Sequence, residues 1–149
     1  MAINNDKEFK GALACMNPSQ LRLAAAGFVD SVLPLSTDER IVAAVKVARQ
    51  EKASETELEM QLRSVKAAAL ASYTQCGKLC DWNSQAGHFV AKAAVRCVEP
   101  LTDGGAQSVW EGAMDARMAR TCEVIATGEG TENNEAQVQY RIVESLLNS

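Results

Sequence analysis

Three alanine clusters, Ala24-Ala25-Ala26, Ala67-Ala68-Ala69 and Ala91 with Ala93-Ala94, sit inside stretches whose apolar residues return every three or four positions. Alanine is the best helix former, and its small side chain lets two helix backbones approach closely. Alternating apolar and polar runs of strand length are scarce by comparison. The pattern therefore predicts an all-α fold: one bundle of about six alanine-rich amphipathic helices. At 149 residues the chain is the size of one domain, so a single unit over residues 1–149 is expected.

The punctuation supports this division. Asn17-Pro18 followed by Gln20 has the form of a capping box with a first-turn proline, and Leu21, Ala25, Phe28 and Val32 then share one helical face. Pro34 closes that helix. Ser36 with Glu39 predicts a second capping box, before a stripe of Ile41, Ala44, Val45 and Ala48. Ser54 with Glu57 opens the helix expected to be longest, whose stripe runs Leu58, Leu62, Val65, Ala69 and Ser72 towards a break at Gly77. After a turn at Asp81-Trp82-Asn83, Ala86, Phe89, Val90, Ala93 and Cys97 mark a fourth helix. It stops near Pro100 and the Asp103-Gly104-Gly105 loop. Trp110, Met114, Met118, Cys122 and Ile125 mark a fifth. Residues 1–16 read as an N-terminal segment and 128–135 as a loop; 136–149 read as a last helix, with Val138, Ile142 and Leu146 able to dock or swap onto a neighbour.

Composition narrows the function classes. The polar N-terminus and the charge-interrupted first apolar stretch argue against a signal peptide or spanning helix. Five cysteines, Cys15, Cys76, Cys80, Cys97 and Cys122, fit buried reduced thiols in a cytoplasmic protein. The formal net charge is −4, and the excess is uneven. Residues 1–75 hold nine basic and nine acidic groups, residues 76–149 six and ten. A nucleic-acid binder would show the opposite bias, so a basic protein partner is the better expectation.

No catalytic motif accompanies the chemistry-bearing residues, and no cofactor is expected. His88 is the sole histidine and lacks a nucleophile signature, which favours a half-buried structural position. Cys76 and Cys80 lie four apart and, with His88, offer three ligands, but zinc sites use tighter cysteine pairs and a fourth ligand. Thiol packing is the simpler reading. Glu111 and Asp115 also stand four apart with like charge, a local cost that a basic partner would relieve. Trp82 in its turn and Trp110 near a helix start fit bundle ends or interface anchors. The glycines lack phosphate-loop spacing.

One long stretch has a family likeness. Residues 21–35, LRLAAAGFVDSVLPL, lead into STDERIVAAVKVARQ, and Ala86-Gly87-His88 follows downstream. Over residues 18–98 this resembles the bacterial immunity proteins of polymorphic toxin systems, of the fifth immunity class. The likeness rests on Val32-Leu33-Pro34-Leu35, Asp38-Glu39-Arg40, residues 44–49 and the Ala-Gly-His segment. The chain has Ala24-Ala25-Ala26 and Ser36 where that family commonly carries aromatic residues. The resemblance implies tight binding to a toxin, without catalysis. The expected function is thus a protein-binding inhibitor that neutralises a toxin or effector, such as a basic nuclease, and contacts it through Trp110, Glu111, Asp115, Glu129, Glu132 and Glu135. A phage or mobile-element protein that inhibits a host defence complex is the alternative, and a metal protein or enzyme using Cys76, Cys80 and His88 the second alternative. A homodimer is compatible with either binding role.

Overall fold

The computed structural model describes residues 2–79, 81–102, 105–128 and 132–149. Among these are seven α-helices and no strand: α1 (Asp6–Ala14), α2 (Pro18–Val32), α3 (Glu39–Ala48), α4 (Glu55–Leu79), α5 (Trp82–Val98), α6 (Gly105–Thr127) and α7 (Glu135–Leu147). The all-α expectation holds. The helix beyond the six expected is α1, which lies within the N-terminal segment.

Local chemistry sets most helix starts. The Asn17–Gln20 capping box forms reciprocally, with both side chains accepting backbone N–H groups. At α3 the cap differs from expectation: Asp38, not Ser36, accepts from the backbone of Arg40, while Ser36 accepts from Asp38. A single 3₁₀ turn, Leu33–Leu35, displaces the helix start by two residues. Asp81 caps α5 through Ser84, so Trp82 is its first helical residue and not a turn residue. The α4 helix runs through Gly77 to Leu79 and is the longest at 25 residues. Gly128, with φ of +64°, follows the end of α6 in the left-handed conformation that glycine adopts without steric penalty.

The core forms where α2 and α5 meet the other helices. Phe9, Leu13, Phe28, Val29, Val32, Ile41, Val90 and Val98 fill it, with alanines between them. Phe9 meets Phe28, Trp110 and Tyr140 with ring centroids 5.3–5.9 Å apart. This explains why α1 is ordered: a single aromatic side chain nails it to α2, α6 and α7. Predicted stripes hold on α2 and α3, where Leu21, Ala25, Phe28, Val32, Ile41, Ala44, Val45 and Ala48 are all buried.

The stripe expected on α6 holds only in part: Cys122 is buried and Trp110 and Met114 are half-buried against the core. Its buried face is Val109, Gly112, Ala113, Ala116, Ala119 and Cys122, whereas Met118 and Ile125 are each 45% exposed. The reason is the close approach of α5: a Cβ added at Gly112 would stand 2.9 Å from the Arg96 Cβ, so only the smallest residues fit. On α7 the buried face is likewise displaced by one position, to Glu135, Gln139 and Val143. Val138, Ile142 and Leu146 lie only partly covered, with Ile142 against Gly27 of α2. The last helix therefore docks on its own chain.

These packing relations can be tested by substitution. Phe28→Ala, at a site with no exposure, should lower the unfolding free energy by about 3–5 kcal/mol in a denaturant titration. Gly112→Val should lower it by about 2 kcal/mol through overpacking against Arg96. Gly11→Ala, on α1 with open space around the new methyl, should instead raise it by about 0.5–1 kcal/mol.

Candidate functional site

The acidic residues expected to meet a partner are largely engaged within the chain. Glu111 pairs with Arg96 at 3.0 Å and Asp115 approaches Lys92 at 3.8 Å, so the like-charge step on α6 is relieved by α5. Burial nevertheless raises the Asp115 pKa, outweighing Lys92 and Arg96. Glu135 is only 2% exposed; it accepts from Ser31 and from Arg120 Nε at 3.0 Å. It cannot contact a partner in the folded protein, which corrects its assignment to a binding face. Trp110 is likewise half-buried, packed on Phe9 with Lys10 Nζ 4.3 Å from its ring centroid. Glu132 is exposed. Glu129 lies outside the described residues.

Two arginines that the sequence does not single out organise this region. Arg117 donates to both oxygens of Asp6, at 2.8 and 3.0 Å, and to Gln139 at 2.8 Å, while Tyr140 donates to Asp6 at 2.7 Å. The Arg117 hydrogen bond holds the Asp6 carboxyl below the usual range against the opposing effect of burial. Arg120 bridges Glu123, Glu135 and the Ser31 carbonyl. Burial alone would lower its pKa, but the two carboxylates raise it above the ordinary value. Of the acids expected to meet a partner, Glu135 is therefore structural, Asp115 is mostly covered, and Glu111 and Glu132 remain at the surface.

His88 occupies the half-buried structural position expected of it. Its Nδ1 lies 2.9 Å from Ser72 Oγ, and that hydroxyl lies 2.8 Å from the Ala69 carbonyl. The Ser72–His88 hydrogen bond joins α4 to α5. Burial, then Lys92, lowers the His88 pKa, opposed by the Ala69 carbonyl. Ser72 also edges a cleft of about 380 Å³ between the 35–41 segment, α4 and α5, floored by Ala68, Ala71 and Ala91. The Asp38–Arg40 pair on its rim is closed on itself at 2.7 Å.

The thiols divide. Cys97 and Cys122 are buried and the Cys97 thiol is pushed up to about 12 by burial, which suits packing. Cys15 is exposed, against expectation, because it follows the last turn of α1. Cys76 donates to the Ser84 carbonyl, tying α4 to the start of α5. Cys80 lies outside the described residues; among those described, no three His, Cys, Asp or Glu side chains converge on one point.

A different surface stands out. Tyr73 and Leu79 at the end of α4, Trp82 at the start of α5, and Met118 and Ile125 on α6 are all 45% exposed or more. The pairs Lys92–Asp115 and Arg96–Glu111 fix the antiparallel register of α5 and α6. Continued along both helices, that register sets Met118 level with Phe89 and Ile125 level with Trp82. Tyr73 joins from α4 through His88, at a centroid distance of 5.7 Å, and His88 stands 5.9 Å from Phe89. One end of the three-helix layer thus presents an aromatic and aliphatic band. By sequence, Met118 and Ile125 fall on the apolar stripe of α6, and Trp82, like Trp110, fits a bundle end or an interface anchor.

Comparison of the chain with known protein families, with characterised proteins and with solved structures finds no match. No helix among the described residues is long and apolar enough to cross a membrane.

Two measurements check the electrostatics. Arg120→Ala leaves Glu135 buried beside Ser31 without its guanidinium and should destabilise by about 3 kcal/mol. Because the folded protein lowers the His88 pKa, the unfolded chain binds the proton more readily. Stability should then fall as pH drops below about 6.5, and His88→Gln should flatten that part of the profile in urea melts.

Proposed function

We propose that this protein is a non-catalytic binding protein of the immunity type, which neutralises a toxin or effector in the cytoplasm by covering it. The observation that carries this reading is the exposed band of Tyr73, Leu79, Trp82, Met118 and Ile125. Large aromatic and methionine side chains are enriched in protein interfaces and dominate their energetics. A band of such residues across three helices is the kind of surface that marks a binding site on a soluble domain. The likeness of residues 18–98 to the immunity proteins supports the same reading and supplies the toxin as the class of partner.

The band also revises which chemistry would select that partner. Five acids of the C-terminal half, Glu99, Glu111, Asp115, Glu123 and Glu135, are paired with Arg96, Lys92 or Arg120, which reduces the charge they offer to a basic nuclease. Apolar contact, framed by Lys78 and Lys92, takes precedence over charge.

Co-expression with any neighbouring gene whose product is toxic on its own provides the test. Wild-type protein should restore growth, and Trp82→Glu or Met118→Glu should remove protection while leaving the melting temperature within a few degrees. A chain that rescues growth from no adjacent toxin and binds none of the neighbouring gene products in purified form would overturn the reading, as would full protection by both variants.

A further inference from the structure

An open groove of about 760 Å³ runs between α2 and α7 and shares no residue with the exposed band. Two contacts set its direction: Ser31 donates to Glu135, and Ile142 lies on Gly27. The helices therefore run antiparallel, with Leu23 level with Leu146 at one end and Ser31 level with Val138 near the other. A Cβ at Gly27 would stand 3.0 Å from Ile142 Cγ2, so the two helices touch along the floor and the groove is a single furrow. From residue 138 to residue 146 it rises through about 12 Å. Its ends differ chemically. Leu23 and Leu146 make one end apolar. Towards the other, Arg49 meets Asp30 at 3.2 Å, and Arg141 stands exposed on the α7 wall, one helical turn in from Val138. Among the described residues Arg141 has no ion pair.

We propose that this groove binds a medium-chain alkyl carboxylate, with the carboxylate on Arg141 and the chain lying along Ile142 towards Leu23 and Leu146. Charge selects the head group. A carboxylate matches the fork of the Arg141 guanidinium, and the one acid lining the groove, Asp30, already has its charge met by Arg49. Shape selects the body. Two helices in contact leave a furrow for one unbranched chain, not for a docking helix, which with its side chains is a cylinder of about 10 Å. The span of about 12 Å is that of an extended chain of about ten carbons. Such a ligand buries methylenes against the apolar end and leaves its charge at the solvent edge, as small-molecule sites combine an apolar lining with a few placed polar groups.

The test is isothermal titration calorimetry of the full chain with sodium decanoate below its micelle-forming concentration. One site should saturate, and affinity should rise by about two- to fourfold per methylene from hexanoate to decanoate. Decyltrimethylammonium, with the same chain and the opposite charge, should bind about tenfold more weakly or not at all. Arg141→Glu should weaken decanoate binding by about tenfold, while Lys66→Glu, the same charge change on the exposed side of α4, should leave it unchanged. Ser145→Trp, at an exposed position on the groove wall, should block the furrow and abolish binding. Trp82→Glu should leave binding unchanged, so this site and toxin protection are separable outcomes. No saturation in the millimolar range overturns the proposal, as does equal binding of the cationic amphiphile or unaltered binding in either Arg141→Glu or Ser145→Trp. So does a groove with another occupant: a second copy, seen as an Arg141-dependent dimer in sedimentation, or a glutamate-bearing amphipathic peptide that binds there where decanoate does not.

Discussion

The close contact between α5 and α6 is the constraint on which the rest of the structure depends. Gly112, Ala113, Ala116 and Ala119 line one side and Ala86, Val90, Ala93 and Ala94 contribute buried residues on the other. At this separation a methyl group at Gly112 would already collide with the Arg96 stem. Small residues therefore dominate the buried face of α6, beside Val109 and Cys122, while Trp110 and Met114 are half-buried. Met118 and Ile125 are exposed as a consequence of that packing. The surface that best suits a partner is thus the reverse side of the interface that holds the bundle together.

Charge works inside the bundle more than outside it. Arg117 ties α1, α6 and α7 through Asp6 and Gln139, and Arg120 joins α2, α6 and α7 through Ser31 and Glu135. Such pairs add specificity by penalising any arrangement that leaves Glu135 buried without a cation. In the C-terminal half, Arg96, Lys92 and Arg120 pair with Glu99, Glu111, Asp115, Glu123 and Glu135. The sign of the overall charge remains a guide to solubility, but the partner is better sought by apolar complementarity.

Most of the fold was legible. Capping at Asn17 and Ser54 and the stripes of α2 and α3 follow rules that act within one helix, and all appear as expected. The candidate site was much less legible. Among the expected contacts Glu132 is exposed, but Glu135 is buried and Trp110 packs on Phe9, while Trp82, which was not among them, is exposed. An acidic residue in sequence looks solvated until a guanidinium from another helix is brought to it. Arg117 and Arg120 lie on a helix with no strong polar face, and nothing in their spacing points to partners more than a dozen residues away.

The sequence alone determined that the chain would be helical, roughly where each helix would begin, and which face of α2 and α3 would be buried. These depend on propensity, capping and period, all local properties of the chain. Only the tertiary structure decided that α1 would be held by Phe9, that alanine and glycine rather than methionine would be buried on α6, and that the acids would be paired internally. Each of those outcomes is set by the distance between helices remote in sequence, and hydrophobic periodicity carries no information about that distance.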